Sequence, residues 1–83
     1  MRLLYFAWIR QRIGRHEETI AKPPEVTDVG SLIAWLQTRG PGYAEALKEP
    51  AAVRVAVNQE YVPLKHPLRE GDEVALFPPV TGG

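Results

Sequence analysis

The chain carries five short segments in which apolar and β-branched residues are bounded by turn-forming residues, a pattern typical of β-strands. These segments are residues 2–8, about 17–21, 52–57, 61–62 and 73–77. In the first segment, alternation sends Leu3, Tyr5 and Ala7 to one face and Leu4, Phe6 and Trp8 to the other. Because a strand of an antiparallel sheet usually has one solvated face, two apolar faces indicate a second layer or a partner.

One amphipathic helix is predicted between the second and third strands, because apolar residues recur at positions i, i+3, i+4 and i+7 in Val29, Leu32, Ile33 and Leu36. Thr27 is the expected N-cap, and Gly30 is not expected to complete a capping box. Gly40 and Pro41 predict the end of the helix, since glycine suits a left-handed position and proline blocks continuation. Trp35 projects beside the apolar stripe and is expected to pack at the flank of the helix.

Turns and connectors join these elements. The segment 9–16 is predicted to be a solvated hairpin turn, since it contains Arg10, Arg12, Gly14 and Arg15. These arginines could also bind phosphate or nucleic acid, but zero net charge and the lack of interleaved aromatic residues favour solvated charges. Asn58 tolerates the left-handed conformation that a tight turn needs. Residues 22–25 are expected to form a rigid connector, and residues 43–48 a short second helix or turn. Residues 69–72 are expected to form a turn before the last strand.

The order of the elements is ββα, a short helical turn and then βββ. It predicts an α+β fold of the β-grasp (ubiquitin-like) type, a mixed sheet of about four to five strands covered by one main helix. The first and last strands are expected to lie side by side in the middle of the sheet. The side chains facing the helix are expected to be Leu3, Tyr5, Val74 and Leu76. The opposite face is expected to carry Phe6, Trp8, Tyr61 and Phe77.

Composition excludes several classes of function. Ten basic residues balance ten acidic residues, so the charge favours neither a nucleic acid nor a membrane as partner. No apolar run approaches the roughly 20 residues that span a bilayer, no signal peptide is evident, and we expect a cytoplasmic protein. The absence of cysteine excludes a thiolate nucleophile, a persulfide carrier and a sulfur-based zinc site. His16 and His66 show no ligand spacing, so neither a metal nor a tightly bound cofactor is predicted.

The carboxyl-terminal segment, residues 78–83, is predicted to be an extended tail on a domain formed by residues 1–77. Pro78 and Pro79 fix φ and remove backbone donors, which keeps the segment out of a helix or a central strand. Gly82 and Gly83 lack a Cβ and can enter a narrow channel. Because the sequence has no nucleophile or acid–base motif, the α-carboxylate of Gly83 is the leading candidate for covalent chemistry. A frayed terminus is the alternative interpretation of this segment.

Two segments carry a family resemblance, residues 55–62 (VAVNQEYV) and 66–83 (HPLREGDEVALFPPVTGG). Residues 4–14 are similar as well, so the resemblance covers nearly the whole chain. A double glycine alone is weak evidence, whereas the phrase at residues 71–83, placed at the terminus, is specific. The sequence resembles the small subunit of molybdopterin synthase, a ubiquitin-like sulfur carrier.

The resemblance implies a carrier rather than a catalyst acting alone. A ubiquitin-activating-like adenylyltransferase would use ATP to adenylate the carboxylate of Gly83, which a persulfide would then convert to a thiocarboxylate. The tail would deliver this sulfur to a cyclic pterin precursor inside the large subunit and so form the dithiolene of molybdopterin. The expected assembly has two large and two small chains, and the acid–base groups would belong to the large subunit.

The resemblance also implies which residues contact the partners. The apolar contact surface would be formed by Phe6, Tyr61 and Phe77. In the tail, the residues that bind the partner would be Pro78, Pro79, Val80 and Thr81. Gly82 would allow the tail to enter the partner's active site, and Gly83 would carry the thiocarboxylate.

Three other functions stay open from the sequence. A sulfur carrier for thiamine would share the fold and the glycines, but residues 77–80 argue against it. A protein modifier would be joined to lysines through Gly83. A plain β-grasp binding module would use its sheet surface alone, and removal of Gly82 and Gly83 would then change nothing.

Overall fold

A computed structural model describes residues 1–79, which form one five-stranded sheet with helices. The strands are β1 (Arg2–Tyr5), β2 (Glu17–Thr19), β3 (Arg54–Val57), β4 (Glu60–Val62) and β5 (Glu73–Phe77). The helices are α1 (Ala7–Ile13), α2 (Val29–Gln37) and α3 (Pro41–Ala46), and a 3₁₀ turn covers Pro50–Ala52. The α+β, β-grasp fold predicted from the sequence is confirmed.

The sheet has the strand order β2-β1-β5-β3-β4. Strand β5 therefore lies at the centre, parallel to β1 and antiparallel to β3. The prediction that the first and last strands lie side by side is confirmed. Strands β3 and β4 are joined through Asn58 and Gln59, whose φ angles are 50° and 72°. Two successive positive φ angles are those of a type I′ hairpin turn, so the expected turn at Asn58 is also confirmed.

The core lies between the sheet and α2. The helix stripe predicted from the sequence is buried in full at Val29, Leu32, Ile33 and Leu36. The strand residues expected to face it are buried as well, at Leu3, Tyr5, Val74 and Leu76. Trp35 packs against the edge of this core, as expected for a residue at the helix flank.

The segment after β1 differs from its prediction. Residues 2–8 do not form one strand, and residues 9–16 are not a hairpin turn, because the chain enters α1 at Ala7. Ala7 has a φ of 53°, which turns the chain from strand to helix. Ile9 is then fully buried, and Ile13, four residues later, packs on the core from the same side. Gly14 ends the helix in a left-handed conformation and donates its N–H to the carbonyl of Arg10.

The ends of α2 also differ from their prediction. Asp28, not Thr27, is the N-cap, and its side chain accepts the N–H of Ser31 at 2.7 Å. The hydroxyl of Ser31 accepts the N–H of Asp28 at 3.0 Å, so a capping box is present although none was expected. The helix ends with Thr38 as its cap, two residues before Gly40.

Three smaller boundaries shift. Helix α3 begins at Pro41, earlier than the expected residues 43–48, since proline is well suited to the first helical position. Strand β3 begins at Arg54 because the 3₁₀ turn occupies the residues before it. Strand β2 ends at Thr19, two residues before its expected end.

A buried carboxylate joins β2 to the helical layer. Glu18 lies beside Leu3 in register and so faces the helices. Its side chain is 7% exposed and accepts hydrogen bonds from Tyr5 at 2.6 Å, Tyr43 at 2.7 Å, Arg39 at 2.7 Å and Arg15 at 3.3 Å. Burial raises the pKa of Glu18, but the hydrogen bonds from Tyr5, Arg39 and Tyr43 outweigh this effect and hold the pKa below its ordinary value. Glu18 therefore acts as a clamp, which means that its hydrogen bonds hold β2 to β1 and to the helical layer on the side of the sheet that α2 and α3 cover.

Candidate functional site

A row of small and apolar residues crosses the outer face of the sheet, the face away from α2. Leu4 is in register with Ala75, Ala75 with Ala56, and Ala56 with Tyr61. Leu4, Ala75 and Ala56 each lie between residues buried in the core, so alternation sends them outward. Tyr61, at the end of the row, is largely exposed. The middle of the face carries only the small side chains of Ala75 and Ala56, and Ala56 is buried.

Two aromatic residues stand at one end of this face. The rings of Tyr61 and Phe77 lie 5.6 Å apart with an interplanar angle of 43°. Tyr61 is 79% exposed, an unusual exposure for so large a side chain. Exposed aromatic rings on a small protein are typical of contact surfaces, because covering them releases water from a large apolar area.

Phe6 extends the same surface beyond the end of β1. Its backbone is extended, so its side chain points away from the core that the preceding Tyr5 enters. Its N–H donates to the carbonyl of Leu76 at 3.1 Å, which places Phe6 beside the end of β5. Phe6 is 47% exposed. The fold thus brings the three residues predicted as the contact surface, Phe6, Tyr61 and Phe77, to one end of the outer face.

Trp8 does not belong to this surface. It was expected on the outer face, but α1 carries it back toward the molecule, where it packs against the core. Arg12 covers its ring, with the guanidinium carbon 4.9 Å from the ring centroid. The expectation failed because it extended the alternation of β1 through a segment that is helical.

Charged side chains border the apolar row on two sides. Arg2 and Glu17 form an ion pair at 3.0 Å on the outer side of β1 and β2. The hydrogen bond that Arg2 donates to the carboxylate of Glu17 raises the pKa of Arg2. Arg54 lies directly opposite Phe77 on β3 and is exposed. An apolar centre with a charged rim is the usual composition of a protein contact surface.

A groove opens beside the aromatic pair, where β3 begins and β4 ends. It has a volume of about 590 Å³ and is lined by Pro50, Ala51, Val53, Arg54, Val55, Tyr61, Val62, Pro63, Leu64 and Phe77. Leu64 is 42% exposed. The sequence pattern did not indicate this groove, because its walls come from the 3₁₀ turn, three strands and the loop after β4.

The predicted tail begins at the end of the central strand. Pro78 is half-buried directly after β5, and Pro79 is exposed. Val80, Thr81, Gly82 and Gly83 lie outside the described residues, so their predicted roles stay predictions. The division into a domain at residues 1–77 and a tail at 78–83 is likewise untested. Among residues 1–79, no helix has both the length and the apolar character to cross a membrane.

Comparison with known proteins identifies the family. The family model described as "ThiS family" matches residues 3–83. The molybdopterin synthase sulfur carrier subunit of Escherichia coli is 39% identical over 83 residues, covering 100% of this chain and 99% of that protein. The chain belongs to the ThiS family and, within it, to the molybdopterin synthase sulfur carrier subunits.

Solved structures of this family have the same fold. A structure titled as a putative molybdopterin converting factor, subunit 1, from Pyrococcus furiosus matches with a TM-score of 0.76 and 38% identity, covering 95% of each chain. A structure titled as a complex of subunits 1 and 2 of the molybdopterin-converting factor from Helicobacter pylori contains a chain that matches with a TM-score of 0.64 and 28% identity, covering 99% of this chain and 96% of that one. The family recognised from residues 55–62 and 66–83 is confirmed.

Proposed function

We propose that this chain is the sulfur-carrying small subunit of molybdopterin synthase in molybdenum cofactor biosynthesis. The observation that carries the proposal is the position of β5. This strand lies at the centre of the sheet, ends beside the aromatic surface and leads directly into the tail at Pro78. A reactive terminus that follows such a strand leaves the fold from a well-anchored point, next to a surface suited to a partner.

The chemistry proposed for Gly83 has three steps. The carboxylate attacks the α-phosphorus of ATP on the adenylyltransferase, which releases pyrophosphate and leaves an acyl-adenylate. A persulfide sulfur then attacks the carbonyl and expels AMP, and a thiol cleaves the resulting acyl disulfide to leave a thiocarboxylate. In the large subunit, this sulfur is transferred to the cyclic pterin precursor, and water returns the tail to a carboxylate. ATP is thus used by the activating partner and is not a cofactor held by this chain.

The large subunit is the proposed partner of the outer face. The Helicobacter pylori complex, which joins subunits 1 and 2 of a molybdopterin-converting factor, supports such a partner here. We propose contacts through Phe6, Tyr61 and Phe77, and an assembly of two large and two small chains. The tail residues Pro78 to Thr81 would then line the path by which Gly82 and Gly83 reach the substrate.

The test is a reconstituted reaction with the activating enzyme, ATP, a sulfur source and the large subunit. Deletion of Gly83 moves the terminal carboxylate back by about 3.3–3.6 Å, one extended residue. A displacement of about 1 Å can already cost a hundredfold in rate. Addition of one residue after Gly83 instead converts the reactive carboxylate into an amide. Both variants should fold and bind the large subunit nearly as the parent chain does, yet neither should gain sulfur.

Intact mass, which reports the exchange of one oxygen for sulfur, and formation of molybdopterin are the two readouts. Sulfur transfer at the unmodified rate by the chain lacking Gly83 would contradict the proposal. Thiocarboxylate formation without conversion of the pterin precursor would favour a thiamine-type carrier. Isopeptide conjugates in cell extract would favour a protein modifier.

A further inference from the structure

The groove beside the aromatic pair is large and mostly apolar. Its volume of about 590 Å³ lies within the range of about 300–1,000 Å³ that is common for binding sites. Most of the lining is aliphatic, aromatic or proline, and Leu64 is 42% exposed at its rim. Apolar surface of this kind favours an occupant with apolar side chains, because its burial releases water.

The groove lies beside β4, which is an edge strand of the sheet. Strand β4 is the last strand in the order, and it pairs with β3 on one side. Within residues 1–79 no strand pairs with its other side, the arrangement by which sheets bind extended peptide segments. The groove lies at the end of β4, where Val62, Pro63 and Leu64 form one wall. An extended segment fits both features better than a helix does.

The positive charge of Arg54 favours a ligand that carries a negative charge. Its guanidinium donates to the carbonyl of Ala51 at 3.0 Å and is otherwise exposed at the groove. Within residues 1–79 no carboxylate lies within ion-pair distance of Arg54, whereas Arg2 and Arg39 each have one. A cation at the rim of an apolar groove selects a ligand that carries a carboxylate, since a charge-assisted hydrogen bond is stronger than a neutral one.

We propose that this groove binds an extended, apolar segment of the large subunit that carries a carboxylate opposite Arg54. The inference rests on the proposed function and deepens it, because it names a second contact beyond Phe6, Tyr61 and Phe77. Arg54 is in register with Phe77, the last residue of β5, and the tail begins at the next residue. A protein that encloses the tail and covers Phe77 therefore passes over the groove.

Calorimetric titration of the large subunit tests this contact. Arg54→Glu and Leu64→Asp should each weaken binding by at least about tenfold, as expected when a buried charge pair or apolar contact is replaced by repulsion or an unpaired charge. Arg54→Gln should bind with a weaker dependence on salt than the parent chain. Arg69→Glu makes the same change of charge in the turn before β5, at the opposite end of that strand, and should change the affinity by less than about twofold.

Hydrogen exchange gives an independent readout on the unmodified chain. Addition of the large subunit should slow amide exchange at residues 60–64, where the added segment would cover β4 and the loop after it. Unchanged affinity of both Arg54→Glu and Leu64→Asp, with thermal unfolding that shows both are folded, would overturn the inference. Unchanged exchange at residues 60–64 in the complex would overturn it as well.

Two other occupants give different results. If the tail of this chain fills the groove, truncation after Pro79 should speed exchange at residues 60–64 in the free protein. If a second copy fills it, sedimentation should detect a dimer that Leu64→Asp dissociates. Either result would overturn the inference. A different result would contradict the proposed function, namely sulfur transfer by the chain lacking Gly83. Normal binding of the large subunit by the groove variants would overturn only the inference about the groove, because it does not bear on the requirement for Gly83.

Discussion

The rings of Tyr61 and Phe77 meet although a whole strand, β3, separates β4 from β5. Strands two places apart in a sheet are separated by roughly 9.5 Å, twice the spacing of neighbours. The ring centroids are nevertheless 5.6 Å apart. On β3, which lies between them, Ala56 is in register with Tyr61 and Arg54 is in register with Phe77, so the two rings approach each other diagonally across this strand. The small side chain of Ala56 leaves space for this approach, and the two rings form one surface.

This aromatic pair leads to a prediction about binding. Phe77→Ala should weaken association with the large subunit by at least about 1–2 kcal/mol, the usual range for an anchor residue in an interface. The isolated fold should remain largely intact, because the ring lies on the outer face and not in the core. Calorimetric titration measures the affinity, and Glu45→Ala, at an exposed position of α3 on the opposite side of the sheet, is the control. Unchanged affinity of Phe77→Ala would remove this surface from the interface.

The core prediction concerns Leu36, which is fully buried against the sheet. Leu36→Ala should lower the free energy of unfolding by about 2–5 kcal/mol, because it removes apolar contacts and leaves a cavity. Urea unfolding measures the loss. Lys48→Ala removes an exposed ion pair to Glu45 at 3.1 Å and should change stability by less than about 0.5 kcal/mol. A loss under about 1 kcal/mol at Leu36 would disagree with the packing of α2.

The sheet and α2 were predictable because short-range periodicity decides them. Strand β5 occupies the residues 73–77 that alternation indicated, and the stripe from Val29 to Leu36 is the buried face of α2. Helix α1 was not predicted, because an apolar run from Leu3 to Trp8 has the composition of a strand. The signal that could have identified it is the pair Ile9 and Ile13, four residues apart, followed by Gly14 as a cap.

The candidate site was predictable in part. The contact residues Phe6, Tyr61 and Phe77 came from the family resemblance, and the fold brings them to one end of the outer face. The groove and the hydrogen bonds of Glu18 depend on residues far apart in the sequence. Glu18 bonds to Tyr5, Arg39 and Tyr43 from three different parts of the chain, and no local pattern encodes such a meeting. Ser31 was overlooked as a capping residue because Thr27 was expected to be the N-cap, which places Gly30 and not Ser31 at the third helical position.

Gly42 gives a prediction about the contact between α3 and α1. A Cβ at this position would clash with the backbone carbonyl oxygen of Arg12, so an alanine would force the two helices apart. Gly42→Ala should destabilise the protein by about 1–3 kcal/mol, as overpacking does. Gly30→Ala is the matched control, since a Cβ there meets its neighbours at 3.5 Å or more. This variant should be stabilising by about 0.5–1 kcal/mol, because alanine favours the helix. Equal effects of the two substitutions in urea unfolding would contradict the close contact.

The last prediction concerns pH and the clamp at Glu18. The pKa of Glu18 is held below its ordinary value of 4.5, because its hydrogen bonds outweigh the effect of burial. A carboxyl group with a lowered pKa in the folded state stabilises the fold above its unfolded pKa, and this stability is lost as the pH falls through the folded pKa. The free energy of unfolding should therefore decline as the pH falls below about 4.5.

Tyr5 causes a loss of stability at high pH, the alkaline limb of the pH profile. Burial, together with its hydrogen bond to Glu18, raises the pKa of Tyr5 well above its ordinary value of 10.0. A raised pKa stabilises the fold below the unfolded value, and this contribution is lost as the pH rises above about 10. Urea unfolding at a series of pH values should thus give a plateau between the two limbs.

Glu18→Gln tests the assignment of the acid limb. It should cost about 1–3 kcal/mol near neutral pH, because the amide leaves buried donors poorly matched. It should also make the decline below pH 4.5 shallower without abolishing it, since hydrogen bonds also lower the pKa of Asp28, Glu70 and Asp72. Glu25→Gln, which removes the same charge at an exposed position, is the control. If the two variants gave the same pH profile, the acid limb would not belong to Glu18, and its hydrogen bonds to Tyr5, Tyr43 and Arg39 would contribute little to stability.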